Sequence, residues 1–389
     1  MQSSYEPNPD HPLTLACPYF SPEEQAFLQK EFREILNGRV SMGPRVAKFE
    51  AEFSKYCGTP HGIALSSGTA SLEVALTSLG LQPGDEVLVP VQTFTATAMA
   101  VHLAGGRPVF TEISEITFCM DFDDALSRVT SRTRGAIVVH FGGLIPARLL
   151  DFIKQMHDRG CFVIEDAAHA HGSELRGARA GSFGDAGCFS FYPTKIMTTG
   201  EGGMLVTSRE DVAQTARSLQ NRGLELNARQ ELYSRPGRNN RFTEIAAAMG
   251  LSQLRCLPEF LKQRRRVARL YDSGLTGNGA IHPLVPDPNS LSSYWRYVTL
   301  LNESMDRKNL KEALAADGIA VDWAYDPPVH LQPVFRQLMG TQKGMFPRSE
   351  SALSRHLCLP IHPRLRECDA EYILERVSYH AADQARAVS

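Results

Sequence analysis

Apolar residues along this chain switch between the three-to-four-residue spacing of helices and short continuous runs, and the switches divide it into elements. Ser21-Pro22-Glu23-Glu24 places a serine as N-cap, a proline in the first turn and two acids at the positive helix end, which predicts a helix to about Leu36. A second helix runs from about Pro44 to Tyr56, with Val46, Phe49 and Phe53 on one face, and stops at Cys57-Gly58. Strands are then predicted at 63–66, 86–90, 108–113, 136–140, 161–164 and 204–207. Helices are predicted at 70–79, 95–103, 121–129, 148–159 and 209–220. Residues 221–241 read as irregular, and a long helical pattern follows from Thr243 to about Tyr271, with a bend expected near Pro258.

Runs rich in Val and Ile that alternate with helices predict an α/β fold whose mostly parallel sheet is covered on both faces. The Pro-, Gly- and Asn-rich stretch 276–292 reads as a link to a smaller α+β domain. That domain would hold strands at 297–301 and 319–323, a helix at 307–317 and closing helices near 349–356 and 369–380. Residues 1–255 are assigned to an N-terminal arm and large domain, and residues 256–389 to the smaller C-terminal domain.

In such sheets ligands lie outside the carboxyl ends of the strands, which points at Gly68-Thr69, at Gln92-Thr93-Phe94 and at Glu165-Asp166-Ala167-Ala168-His169. Between Phe183 and Ser208 the only charged residues are Asp185, Lys195 and Glu201. A lysine held out of water loses its proton more readily and becomes an amine nucleophile. Each signal alone has a plainer reading. Most lysines keep their tips in solvent, Gly68-Thr69-Ala70 could simply start a helix, Asp166 could cap the next segment, and Phe94 could be ordinary core. Their order along successive sheet edges fits a phosphorylated pyridine aldehyde, which needs an amine for its imine, an acid for its ring nitrogen and donors for its phosphate. His169 and His171 lack a third ligand of suitable spacing, so no metal is expected.

Composition narrows the field. The 389 residues carry a net charge of −2, with 43% hydrophobic and 22% charged positions, and give no electrostatic footprint for nucleic acid or an anionic membrane. Arg264-Arg265-Arg266 sits in a helical pattern and reads as a solvated face. No apolar run suggests a membrane span, and Met1 to Pro12 shows no basic-then-apolar signal pattern, so a cytoplasmic protein is expected. The eight cysteines form no C-x-x-C pair, so reduced, mostly buried thiols are expected.

Ser66-Ser67-Gly68-Thr69-Ala70, Val163-Ile164-Glu165-Asp166-Ala167-Ala168, Phe189-Ser190-Phe191-Tyr192-Pro193-Thr194-Lys195 and Thr198-Thr199-Gly200-Glu201-Gly202-Gly203-Met204 resemble the signature blocks of the DegT/DnrJ/StrS sugar aminotransferases. The likeness continues through Gly237-Arg238-Asn239-Asn240-Arg241 and Pro328-Val329-His330 to Leu359-Pro360-Ile361-His362-Pro363. It implies the aspartate-aminotransferase-like fold (fold type I) and pyridoxal 5'-phosphate as cofactor, with pyridoxamine 5'-phosphate as its aminated form. Lys195 would form the Schiff base and shuttle the proton, Asp166 would hold the ring nitrogen and Phe94 would stack on the ring. Gly68, Thr69, Ala70 and Ser190 would bind the phosphate, with Asn239 reaching in from a partner subunit of a homodimer. His169 stands where the family usually has glutamine, beside the cofactor's 3-hydroxyl.

The resemblance implies transfer of an amino group from glutamate or glutamine to a keto-sugar nucleotide or keto-cyclitol. Its rivals are a deoxysugar dehydratase of the same fold, whose relatives typically replace the lysine with histidine, and a regulatory relative without turnover.

Overall fold

Ser21 shows how local chemistry starts the chain's first helix, α1 (Pro22–Leu36): its hydroxyl accepts from Glu24 N–H at 3.2 Å, and the Glu24 carboxylate accepts from Ser21 N–H at 3.0 Å. Helix α2 (Pro44–Cys57) has no such local cap at Gly43 and ends on Gly58 with φ 84°. A residue 201 positions further on caps it instead. The buried Glu244 carboxylate accepts from the N–H groups of Gly43, Arg45 and Val46 at 2.9–3.1 Å. A Cβ at Gly43 would lie 2.8 Å from that carboxyl carbon, so only glycine leaves room for the contact.

The computed structural model describes residues 13–226, 228–284 and 286–388; Met1 to Pro12, read above for a signal pattern, lie outside them. After α2 come β1 (His61–Leu65), α3 (Gly68–Ser78), β2 (Glu86–Pro90), α4 (Thr95–Leu103), β3 (Arg107–Thr111), α5 (Phe122–Ser127), β4 (Thr133–Val139), α6 (Leu149–His157) and β5 (Phe162–Asp166). Two short strands, β6 (Glu174–Leu175) and β7 (Ala178–Arg179), precede β8 (Ala186–Ser190), β9 (Gly203–Thr207), α7 (Glu210–Gln220) and the long α8 (Glu244–Leu275). Seven strands form one sheet in the order β1-β9-β8-β5-β4-β2-β3. Neighbours are parallel except at β9, which runs antiparallel to both β1 and β8.

The mostly parallel sheet is therefore observed, with one reversal. The turn between β8 and β9 contains Gly200 at φ 80° and Gly202 at φ 158°, backbone conformations that a side chain disfavours. Strand β8 was not anticipated, because Ala-Gly-Cys-Phe-Ser has no β-branched residue. Its neighbours explain Gly187, where a Cβ would collide with the Gly181 backbone. Helix α8 continues through Pro258.

The C-terminal part comprises β10 (Ile281–Pro283), β11 (Ser290–Leu291), β12 (Tyr297–Leu301), α9 (Arg307–Ala316), α10 (Pro333–Met339), α11 (Pro347–Arg355), β13 (His356–Leu359) and α12 (Glu367–Val388). Strands β10-β12-β13 make a second sheet, and β11 pairs with β6 of the earlier chain. The strand expected at 319–323 is reduced to a single bridge, Asp322 to Cys358, on the edge of β13 opposite β12. Residues 276–292 hold two short strands rather than a plain link.

Two hydrophobic cores result. Leu251, Leu254, Leu257 and Leu261 of α8 belong to the larger, and Val267, Ala268, Tyr271 and Leu275 to the smaller, so one helix runs from core to core. Where it crosses between them Arg264 is buried, donating to the Tyr294 and Ile361 carbonyls at 3.0 and 2.8 Å, and burial pulls its pKa down to about 9. The solvated face expected for this arginine run is thus corrected at Arg264. The cysteines are free thiols, as expected, and no helix of the described residues is long and apolar enough to cross a membrane.

Replacing Glu244 with Ala leaves three N–H groups at a buried helix end without an acceptor. The expected loss is about 3 kcal/mol of stability, with a smaller loss for Glu244→Gln. Denaturant midpoints at unchanged slope would show it, and a change under about 0.5 kcal/mol would contradict the cap.

Candidate functional site

The sheet's carboxyl edge and the C-terminal part enclose a cavity of about 610 Å³. Gly68, Thr69, Phe94, Asp166, His169, Ser190 and Lys195 all line it, although they come from separate strand ends and loops. Ala70 lies behind the lining, its N–H taken by the Ser67 hydroxyl at 3.1 Å. Asn239 lies outside the cavity, exposed and bridged to Asn221.

Asp166 closes β5 and is buried. One carboxylate oxygen accepts from the Thr97 hydroxyl at 2.8 Å and the other from Ala168 N–H at 3.2 Å, while Thr97 is itself held by Thr93 at 2.6 Å. Burial raises its pKa, and these bonds together with the nearby Lys195 charge hold the rise back. The neighbouring Glu165 faces the other way and accepts from three N–H groups, those of Gly181, Phe183 and Gly184, at 2.7–2.8 Å, with the His140 ring at 2.8 Å.

Lys195 lies with its Nζ 4.7 Å from the centre of the Trp295 ring. It is partly buried at the cavity wall, and this burial brings its pKa down to about 8; Asp166 opposes that shift and Arg296 adds to it. The indole is fixed by its own N–H, which donates to the Thr194 carbonyl at 2.8 Å. On it stacks His169, with ring centres 3.6 Å apart and planes 7° apart. His169 Nε2 meets the Tyr325 hydroxyl at 2.7 Å, and burial keeps the imidazole neutral by moving its pKa well below 6.5. Phe94 is 55% exposed and approaches the Tyr325 ring at 5.6 Å.

At the amino end of α3, Gly68 and Thr69 belong to the first turn, whose N–H groups have no acceptor within the helix. A Cβ on Gly68 would lie 2.7 Å from the Ser190 Cβ, so glycine lets the two strand ends close on each other. The arrangement offers donors at a positive helix end, a desolvated carboxylate and an amine of lowered pKa around one space. No group of three or more metal-ligating side chains occurs among the described residues.

The model of the DegT/DnrJ/EryC1/StrS aminotransferase family matches residues 22–378. The chain belongs to this family. Its curated relatives include the spore coat polysaccharide biosynthesis protein SpsC of Bacillus subtilis, 33% identical, with 95% of this chain and 97% of that protein covered. Another is the dTDP-3-amino-3,4,6-trideoxy-alpha-D-glucose transaminase of Streptomyces venezuelae, 36% identical, covering 91% of this chain and 92% of the relative. Among solved structures, S. venezuelae DesV superposes with a TM-score of 0.86 at 35% identity, over 92% of this chain and 95% of that one. A putative sugar aminotransferase of Streptococcus pneumoniae in its PMP form gives 0.90 at 27% identity, over 97% and 99%. With these neighbours, the α/β architecture is that of the fold type I aminotransferases.

Trp295, Arg296, Thr97 and Tyr325 of this aminotransferase were not singled out from the sequence, yet all line the cavity. Thr97 lies in the first turn of α4 and Thr93 in the bend before it, so their contact depends on the backbone path into the helix, which the sequence pattern does not show. Tyr325 has φ 62°, unusual for an aromatic residue and invisible in the amino-acid pattern.

In the protein without bound ligand, the unfolded chain holds more proton on Lys195 than the folded one between pH about 8 and 10.5. The burial penalty therefore acts fully below pH 8 and fades as pH rises through this window. Lys195→Met should be more stable than the parent below pH 8, with the margin shrinking toward pH 10.5. Thermal or denaturant unfolding across that range measures it, and a margin independent of pH would refute the lowered pKa.

Proposed function

We propose that this aminotransferase uses pyridoxal 5'-phosphate to move an amino group from glutamate or glutamine onto the ketone of a sugar nucleotide or cyclitol. The observation that carries the reading is the pairing of buried Asp166 with Lys195 of lowered pKa on one cavity. Relatives named as a dTDP-sugar transaminase, as the GDP-perosamine synthase of Caulobacter vibrioides and as a UDP-N-acetyl-3-dehydro-alpha-D-glucosamine 3-aminotransferase of Acidithiobacillus ferrooxidans support the substrate class.

The residues present fit the cofactor. Asp166 is a desolvated carboxylate with two hydrogen bonds, and a protonated ring nitrogen would supply the cation such a site favours. Gly68, Thr69 and Ser190 would take the phosphate at the amino end of α3, with Ala70 contributing through the positive helix end, since its N–H is already bonded. Phe94 would cover the ring, and His169, neutral and held by Tyr325, would stand beside the 3-hydroxyl. When bound, the cofactor supplies an electron sink for the carbon that exchanges amine and ketone.

Lys195 Nζ would anchor the cofactor, then take a proton from the donor's α-carbon and return one to the carbon that receives the amine. Its pKa near 8 leaves a useful share of neutral amine at physiological pH. Asn239, exposed at the surface, is available to the active site of a second copy, so a cytoplasmic homodimer with shared sites completes the reading. Retention of Lys195 argues against the dehydratase, whose relatives carry histidine there.

Purified protein should show the visible absorbance of a lysine imine, lost on adding glutamate or glutamine as the keto acid is released. Lys195→Ala should lower turnover on a panel of keto-sugar nucleotides and keto-cyclitols by roughly 10³-fold or more. A variant that transaminates at the parent's rate would refute the assignment.

A further inference from the structure

Arg296 presents a cation to the cavity without an anion to match it. The side chain lines the space and lies with its guanidinium 4.4 Å from the centre of the Trp295 ring. Its Nη1 donates to the Leu15 carbonyl at 2.8 Å and to the Trp295 carbonyl at 3.4 Å. These contacts fix the plane of the group but use neutral acceptors. Among the described residues no carboxylate pairs with it, and Nε and Nη2 have no hydrogen-bond partner. Asp322, another lining residue, acts on it only at longer range and is bonded to Lys311 at 2.9 Å.

A partly desolvated guanidinium held rigid, with two donor nitrogens free, is the arrangement that takes a carboxylate or phosphate through paired hydrogen bonds. Position decides between the two anions. Lys195 Nζ and the Arg296 guanidinium contact the same indole, so they are no further apart than those two contact distances laid end to end. Their charges also act on each other, since Arg296 contributes to the lowered pKa of Lys195. An α-carboxylate is attached directly to the carbon that must meet Lys195, whereas the diphosphate of a sugar nucleotide is separated from its reacting ketone by much of the sugar ring.

We infer that Arg296 is the subsite for the α-carboxylate of the amino donor. The inference rests on the transaminase reading above and names the group that recognises its first substrate. A guanidinium in this place also accounts for how a cavity serving an uncharged sugar ring can still select an amino acid: the anion is read beside the Trp295 indole.

The test uses cofactor-loaded protein and its Arg296→Met and Arg296→Lys variants. Half-saturation by glutamate and by glutamine is read from loss of the visible band without acceptor, and glutarate binding from calorimetry. For Arg296→Met, half-saturation should rise for both donors alike, and glutarate should bind more weakly, each by roughly 10- to 100-fold, the scale of one charge-assisted contact. The saturated rate and the affinity for the cofactor should change much less, and Arg296→Lys should recover part of the loss. Unchanged half-saturation and unchanged glutarate affinity would overturn the inference. A rise for glutamate alone would overturn the α assignment in favour of the side-chain carboxylate, and loss of competition by UDP or dTDP with glutarate binding intact would assign the arginine to phosphate instead. Should Arg296→Met lose the cofactor band, Arg296→Lys carries the same comparison. If the parent reacts with neither donor, the transaminase reading fails, while the glutarate affinities still decide whether Arg296 binds carboxylate.

Discussion

Two adjacent carboxylates at the end of β5 set the terms for everything around them. A strand turns successive side chains to opposite faces, so Glu165 and Asp166 cannot share an environment. Glu165 is satisfied by three backbone N–H groups and the His140 ring, and by binding the loop at 181–184 it ties β5 to the approach of β8. Asp166 receives only a threonine hydroxyl and one N–H, and its remaining capacity opens on the cavity. A carboxylate kept in low dielectric with so little compensation is costly to the fold. Such a cost is tolerated where a ligand completes the set.

The same logic extends across the cavity. Lys195, Arg296 and neutral His169 all meet at Trp295, whose indole N–H is anchored on the Thr194 carbonyl next to the lysine. Both cations lie against this one aromatic ring, whose electron-rich face favours positive charge. Because Trp295 belongs to the chain after α8 and Thr194 to the loop after β8, this bond is one of several, with Ser293 to the His169 carbonyl and Gln92 to the Ala324 carbonyl, that tie the C-terminal part to the sheet edge.

Much of this could be read in advance because the signals were local or periodic. Ser21-Pro22-Glu23-Glu24 is a complete capping box in consecutive residues, and runs such as Glu86-Val87-Leu88-Val89-Pro90 declare buried parallel strands. Gly68, Asp166 and Lys195 stood out because each sits at a strand end or in a stretch poor in charge. What escaped was whatever depends on a distant partner. The strand character of β8 comes from its neighbours, the single bridge at Asp322 from β13, and the burial of Arg264 from the passage of α8 between two cores. Arg296 and Tyr325 lie far along the chain from Lys195, in segments whose pattern gave no hint of a shared cavity.

The chain contains two tryptophans, Trp295 and Trp323, and both border the cavity. One lies against His169 and Lys195, the other against Arg307 and Lys311. Indole emission from the whole molecule therefore originates at the site and nowhere else. The protein carries its own optical probe in the wall of the chamber, without any label having been introduced.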